Sequence, residues 1–348
     1  FREDTKFSDI NINAIVNSLQ DMGDFDECIL VFSGDIVQSG EINQYKTAGN
    51  FIGTLLNRIK QGFPIGARIP TLIVPGNHDN LVGNSSRNLD EIKGYYLSGK
   101  VDDYFYSDLR QLKNFYDFAN RNRCYNKRKV IEIRTLEYEK FKIKINLINS
   151  APFSLLCDGN EDKGQHYFPK KELNKLDIEK GENYTISIIH HSPEWFEDNT
   201  KKVLYNKLNA SSDLIFVGHE HFPLSESKIV NGVNHVDTVN GVALYGTNTE
   251  QGFNALILDT EYRCLKGKKF IYNGTKYISS KNLERENIIF KGKYKFTGTS
   301  EFMRFLNADI DERDGDCYPD YFVFPTLQAK NMNDDMKNYR VLSEDSFI

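Results

Sequence analysis

The chain predicts an α/β layered domain whose second half turns antiparallel. Two short apolar runs, Cys28-Ile-Leu-Val-Phe-Ser33 and Pro70-Thr-Leu-Ile-Val-Pro75, each lead into a glycine and flank residues 41–60, where apolar positions recur at helical spacing. Continuous apolar runs of this length, rather than alternating ones, are what strands covered on both faces require. Thr185-Ile-Ser-Ile-Ile189 and Leu214-Ile-Phe-Val217 repeat the pattern. From 224 to 300, short segments are broken by Asn231-Gly232, Asn240-Gly241 and Asn273-Gly274. Asn-Gly tolerates the positive φ angles of tight hairpin turns, so this half adds antiparallel strands.

The remaining elements follow in order. Residues 10–20 have helical apolar spacing. Residues 84–135 carry Tyr and Phe at helical spacing around Tyr104 to Phe118 and then the basic stretch Arg121 to Lys129, which together predict a helical excursion from the sheet. Lys142-Ile-Lys-Ile-Asn-Leu-Ile148 alternates before turning apolar, as an outer strand does. Residues 301–348 are acidic from Asp309 to Asp316, apolar at Tyr321-Phe-Val-Phe324 and polar to the end, the pattern of a tail or connector. The expected organisation is a core over 1–260 with a helical insertion at 84–135, a β-rich extension over 261–300, and the tail.

Composition narrows the function class. The 348 residues are 39% hydrophobic and 27% charged, with net charge -5, which permits a sizeable core and argues against coating nucleic acid through bulk charge. The cysteine count, 5, is odd and no CxxC occurs, so neither a disulfide framework nor structural zinc is expected. No stretch approaches ~20 consecutive apolar residues, so no membrane span is expected. The start shows no signal-peptide pattern, which makes the cytoplasm the expected location.

Four strings sit where buried strands run out: Gly34-Asp35, Gly76-Asn77-His78-Asp79, His190-His191 and Gly218-His219-Glu220-His221. Asp35 offers two oxygens that can each take a cation, although a lone Gly-Asp is more often a turn or helix cap. Asn77 offers a neutral carbonyl oxygen. Its neighbour His78 points elsewhere, toward a substrate phosphate or leaving group, and Asp79 could orient that imidazole; the bland reading of the string is a surface turn. Successive strand residues alternate faces, which favours His190 as a ligand and a structural His191. His219 and His221, two apart in extended backbone, share a face and could reach adjacent cations, with Glu220 pointing away. Of 7 histidines, these strings hold all but His166 and His235.

Taken together and in this order, the strings resemble the calcineurin-like metallophosphoesterase family over residues ~28–260. The resemblance implies an α/β/β/α two-sheet sandwich with its site at the strand ends. It implies two divalent metal ions, manganese or iron first, with zinc, nickel or magnesium as alternatives. Asp35 would bridge them. One would take Asp35, Asn77, His190 and His219, the other Asp35, His221 and an N-terminal D-x-H pair. A metal-bound hydroxide would attack phosphorus in line, with His78 assisting at the leaving oxygen. The D-x-H pair has no good match here. Ser8-Asp9-Ile10-Asn11 swaps His for Asn and lacks an apolar lead-in, so the motif is expected upstream of Phe1.

Phosphoprotein phosphatases of the superfamily carry Arg soon after Gly-Asp and usually Glu after Gly-Asn-His. Gly34-Asp-Ile-Val-Gln-Ser-Gly40 and Asp79 depart from both, which leans toward a phosphodiesterase or nuclease acting on a nucleotide or nucleic acid. Tyr321-Phe-Val-Phe-Pro325 after an acidic linker is similar to connectors in bacterial defence proteins that pair a phosphoesterase with an NTPase module. The competing expectation is a binding or regulatory module that keeps the fold with an incomplete metal site.

Overall fold

The computed structural model describes residues 1, 9–23, 25–65, 69–81, 89–124, 128–138, 141–154, 162–176, 184–220, 225–230, 234–244, 250–260 and 264–285. The chain divides into two units, Phe1–Lys293 and Tyr294–Ile348, and the described residues all fall in the first. His221 and the expected tail over 301–348 lie outside them.

Helix α1 (Asp9–Leu19) precedes β1 (Leu30–Phe32), α2 (Ile42–Gly62) and β2 (Thr71–Ile73), and β1 and β2 pair in parallel. Three helices follow, α3 (Leu89–Leu97), α4 (Val101–Asp108) and α5 (Lys113–Arg121). Then come β3 (Ile131–Glu137), β4 (Lys142–Ile148), β5 (Tyr184–Ile189), α6 (Asp198–Ser211), β6 (Leu214–Val217), β7 (Ser225–Val230) and β8 (Asn234–Asn240). These strands form one sheet in the order β3-β4-β5-β6-β8-β7, parallel from β4 through β8 and closed by an antiparallel strand at each edge. Strands β9 (Gly252–Asp259), β10 (Cys264–Tyr272) and β11 (Tyr277–Arg285) form an antiparallel sheet.

Period-2 alternation sorts the strand side chains between two apolar cores. Leu72 of β2, Ile143, Ile145 and Leu147 of β4, Tyr184, Ile186 and Ile188 of β5, Leu214 of β6, Val239 of β8 and Leu265 of β10 meet in one core between the sheets. Ile73, Ile148, Ile189, Ile215 and Val217 point the other way, into a core shared with the helices. Helix α2 shows why the helices seat there. Its buried residues, Tyr45, Ala48, Phe51, Ile52, Leu55 and Ile59, recur every three or four positions and make one apolar stripe. The layers are helix, sheet, sheet, helix, the sandwich the sequence resemblance implies.

Strands β1 and β9 alternate in the same sense. Ile29, Val31, Leu256 and Leu258 pack against the inter-sheet core, and Leu30, Phe32, Phe253 and Ala255 against the helix-side core. All eight are only half-buried. Among the described residues, no strand pairs with the edge of β1 away from β2 or the edge of β9 away from β10.

Two local expectations change. Lys142–Ile148 is an interior strand with β3 outside it, because its polar positions alternate only at the start and its last four residues are buried. Residues 131–135, expected in the helical excursion, belong to β3. Asp9 and Asn11 fall in helix α1, as the helical spacing of residues 10–20 predicts.

Leu72 is 0% exposed in the inter-sheet core. Leu72→Ala should lower stability by about 2–5 kcal/mol in urea denaturation, because the surrounding strands cannot close over the void.

Candidate metal centre

Side chains from two sheets converge because both deliver their carboxyl ends to one place. Strands β1 and β2 lead into Gly34-Asp35 and Gly76-Asn77; β5 and β6 lead into His190 and Gly218-His219. The backbone crowds there. Gly34 has φ 109°, and a Cβ on it would collide with His190 Nδ1; a Cβ on Gly76 would collide with Asp35 Oδ1. Asp35 and His219 themselves take left-handed backbone, φ 52° and 63°. For non-glycine residues that costs of order 1–3 kcal/mol each, which the surrounding structure must offset.

Four donor atoms meet. His190 Nε2 lies 3.2 Å from Asn77 Oδ1, 3.2 Å from His219 Nδ1 and 3.4 Å from Asp35 Oδ2, and His219 Nδ1 lies 3.1 Å from Asn77 Oδ1. The other ring nitrogen of His190, Nδ1, donates to the Ser33 carbonyl at 2.7 Å, so in the neutral ring Nε2 carries a lone pair. The cluster is therefore a carboxylate oxygen, an amide oxygen and two imidazole nitrogens facing one another, each able to offer a lone pair when the ring nitrogens carry no proton there. A cation with bonds of about 2.0–2.2 Å holds neighbouring ligand atoms roughly 3–3.4 Å apart, and the observed spacings match.

The electrostatics select positive charge at this point. Burial alone would push the His190 pKa down, but Asp35 first, then the Ser33 bond and Asp79, raise it above the ordinary value. Burial opposes the Asp35 charge, yet His190 chiefly, with His78 and His219, holds its carboxyl well below the usual range. Burial, then His190, lowers His219 to about 3, which keeps that imidazole neutral and its lone pair available.

Asp79 takes a different part from the expected one. It is 0% exposed, and its carboxylate accepts from Ile36 N (3.1 Å), Val37 N (3.3 Å), Gly76 N (2.9 Å) and Tyr45 Oη (2.9 Å). It does not orient His78; it ties the loop after β1, the loop after β2 and helix α2 together. Burial, then the charge of Asp35, raises its carboxyl to about 6. The group beside His78 Nδ1 is the Gln38 carbonyl at 3.0 Å. His78 is half-buried; its backbone N–H donates to Asp35 Oδ1 at 3.0 Å, and its Nε2 has no hydrogen-bond partner among the described residues.

The paired histidines also differ from strict alternation. Strand β5 ends at Ile189, so the chain bends at His190 and both rings join one cluster. His191 is buried, with Nδ1 2.8 Å from Ser150 Oγ and its ring 4.7 Å from His190 and 4.9 Å from His219. Ligand atoms of His190, His191 and His219 lie within 4.8 Å of one another. His166, assigned no role from sequence, is buried behind His191, its Nε2 2.8 Å from Asp162 Oδ2. Gln38 and Ser33 were missed because their working atoms are backbone carbonyls, which leave no mark on residue type. The side chains of His221 and His235 lie outside the described residues.

Comparison with known proteins places these observations. Residues 8–223 match the family model for calcineurin-like phosphoesterases. No curated protein sequence matches. Similar solved structures include a double mutant of Vps29 from Entamoeba histolytica, at 11% identity and TM-score 0.34, covering 82% of this chain and 96% of that one. A dimetal phosphatase from Danio rerio is similar at 12% identity and TM-score 0.38, covering 80% of this chain and 88% of that one. Among the described residues, no helix is long and apolar enough to cross a membrane.

Asp79→Ala would leave three backbone N–H groups without their acceptor and the Tyr45 hydroxyl with only the main-chain carbonyl of residue 79, 3.3 Å away. Stability should fall by about 3 kcal/mol or more, read from denaturant midpoints, since each buried orphan costs roughly 1–3 kcal/mol. Unchanged stability would show that these loops do not depend on Asp79.

Proposed function

Because the chain belongs to the calcineurin-like phosphoesterase family, we propose that it hydrolyses a phosphodiester at the cluster of Asp35, Asn77, His190 and His219, using divalent metal ions. The observation that supports this reading is the convergence of four lone-pair donors on one point beside an imidazole, His78, whose Nε2 has no partner among the described residues. Asp35, Asn77, His190 and His219 would hold one cation, and Asp35 with His221 would take part in holding a second. Such cations supply Lewis acidity toward a phosphoryl oxygen and a template for in-line displacement. Manganese or iron suits a donor set of mixed oxygen and nitrogen.

The protein's own residues would do the rest. Asp35 contributes the negative charge that anchors the cations, and Asn77 adds an oxygen without further charge. Ser33 fixes the His190 ring so that Nε2 faces inward. Gln38 fixes His78 through Nδ1, leaving Nε2 to give a proton to the departing oxygen when the ring is protonated. The diester assignment rests on charge. The side chain beside His78 is the neutral Gln38 rather than an arginine. A dianionic monoester favours a fixed guanidinium there, whereas a monoanionic diester does not need one.

An alternative is a binding module with an incomplete centre. Metal content separates the two, since two tightly bound ions per chain belong to the enzyme reading and one or none to the module.

Hydrolysis of bis-p-nitrophenyl phosphate with added manganese tests the proposal. His78→Ala should lower turnover by about 10²–10⁴-fold with metal content unchanged. Loss of metal in that variant would contradict the role given to His78. Asp35→Asn should strip metal and activity together, and full metal content in it would contradict the shared-ligand assignment.

A further inference from the structure

The chain contains 1 tryptophan, and its indole is 4% exposed against the ring of His219. The ring centroids are 4.1 Å apart and the planes stand at 81°. Trp195 reaches this position from a tight turn, Pro193–Trp195, which follows His190 and His191 directly. Its backbone is held at both ends: Trp195 N donates to Ser192 O at 3.2 Å, and Trp195 O accepts from His166 N at 2.9 Å. The indole N–H then donates to Glu220 Oε1 at 3.2 Å. Lys163 completes the arrangement, with its ammonium 3.4 Å from the same carboxylate and 5.7 Å from the Trp195 ring centroid.

His219 needs such support. Its φ of 63° is unfavourable for a residue with a Cβ, and Glu220 N bonds back to Gly218 O at 2.7 Å, a tight turn with little strand structure to brace it. Glu220 is the next residue, so a bond that pins its carboxylate also fixes the backbone that aims His219. The indole also packs against the imidazole and limits its rotation, as does the ring of His190, which stands 5.1 Å away at 84°.

We propose that Trp195 and Glu220 form a clamp that positions His219 for metal binding, so that the loop after β5 supplies one ligand and holds the ligand from β6 in place. The proposal rests on the metal-centre reading above. Neither residue offers an atom to the cation; both act through His219. Outer contacts of this kind alter metal affinity by about 10–100-fold.

Titration calorimetry with MnCl2 on the full chain tests it, with the fluorescence of Trp195 as a second signal in the unaltered protein. Trp195→Phe keeps an aromatic ring in the site while removing the N–H donor and the volume of the second ring; Glu220→Ala removes the acceptor on a half-buried side chain. Each should weaken Mn2+ binding about 10-fold or more, with the circular dichroism spectrum unchanged. The double variant should bind no more weakly than the worse single variant, because the two residues form one contact. Glu220→Gln should recover most of the affinity, since its amide oxygen can still accept the indole N–H. Wild-type affinity in both single variants, or losses that simply add in the double variant, would overturn the clamp. Absence of Mn2+ binding by the unaltered chain would instead overturn the metal centre on which it stands.

Discussion

Four atoms that can each offer a lone pair, on Asp35, Asn77, His190 and His219, gather around one point with contacts of 3.1–3.4 Å through His190 and His219, an arrangement that favours positive charge, a proton or a cation, among them. The rest of the structure around the site serves to hold Asp35, Asn77, His190 and His219 in that geometry. The ligands come from the carboxyl ends of strands in two different sheets, so the packing of the sandwich is itself part of the site. Leu72 and Val74 of one sheet against Ile188 and Leu147 of the other fix how far apart the four exits stand. Rigid, close-packed interiors transmit such positioning without slack.

Asp79 is the local device that makes this precise. Its carboxylate gathers main-chain N–H groups from Ile36 and Val37, just after Asp35, and from Gly76, and a hydroxyl from helix α2. A buried carboxylate is expensive unless such donors surround it. The result is that the loop after β1 and the 3₁₀ turn after β2 are tied to each other and to the helix behind them. Strain at Asp35 and His219 is tolerated in this setting, as it is at sites where the fold over-determines a few dihedrals.

Much of this was legible in the residues. Continuous apolar runs that end at glycine mark buried parallel strands, and their exits carry the Asp, Asn and His that converge. What could not be read was of two kinds. Contacts through main-chain carbonyls, such as Ser33 to His190 and Gln38 to His78, leave no signal in side-chain chemistry. The bend at His190 also escaped, because alternation holds only while the strand continues, and β5 stops one residue earlier. Asp79, expected to orient His78, bonds instead to main-chain N–H groups and Tyr45, since a carboxylate next to an imidazole in sequence need not face it in space. The interior position of β4 was hidden by Lys142 and Lys144 at its start, although its last four residues read as buried.

The most direct measurement is a crystal structure of the chain soaked in manganese, with anomalous scattering collected at the manganese edge. The account predicts an anomalous peak within bonding distance of Asp35, Asn77, His190 Nε2 and His219 Nδ1 together. An empty cluster at saturating manganese, or a peak bound by fewer than three of these four side chains, would contradict it.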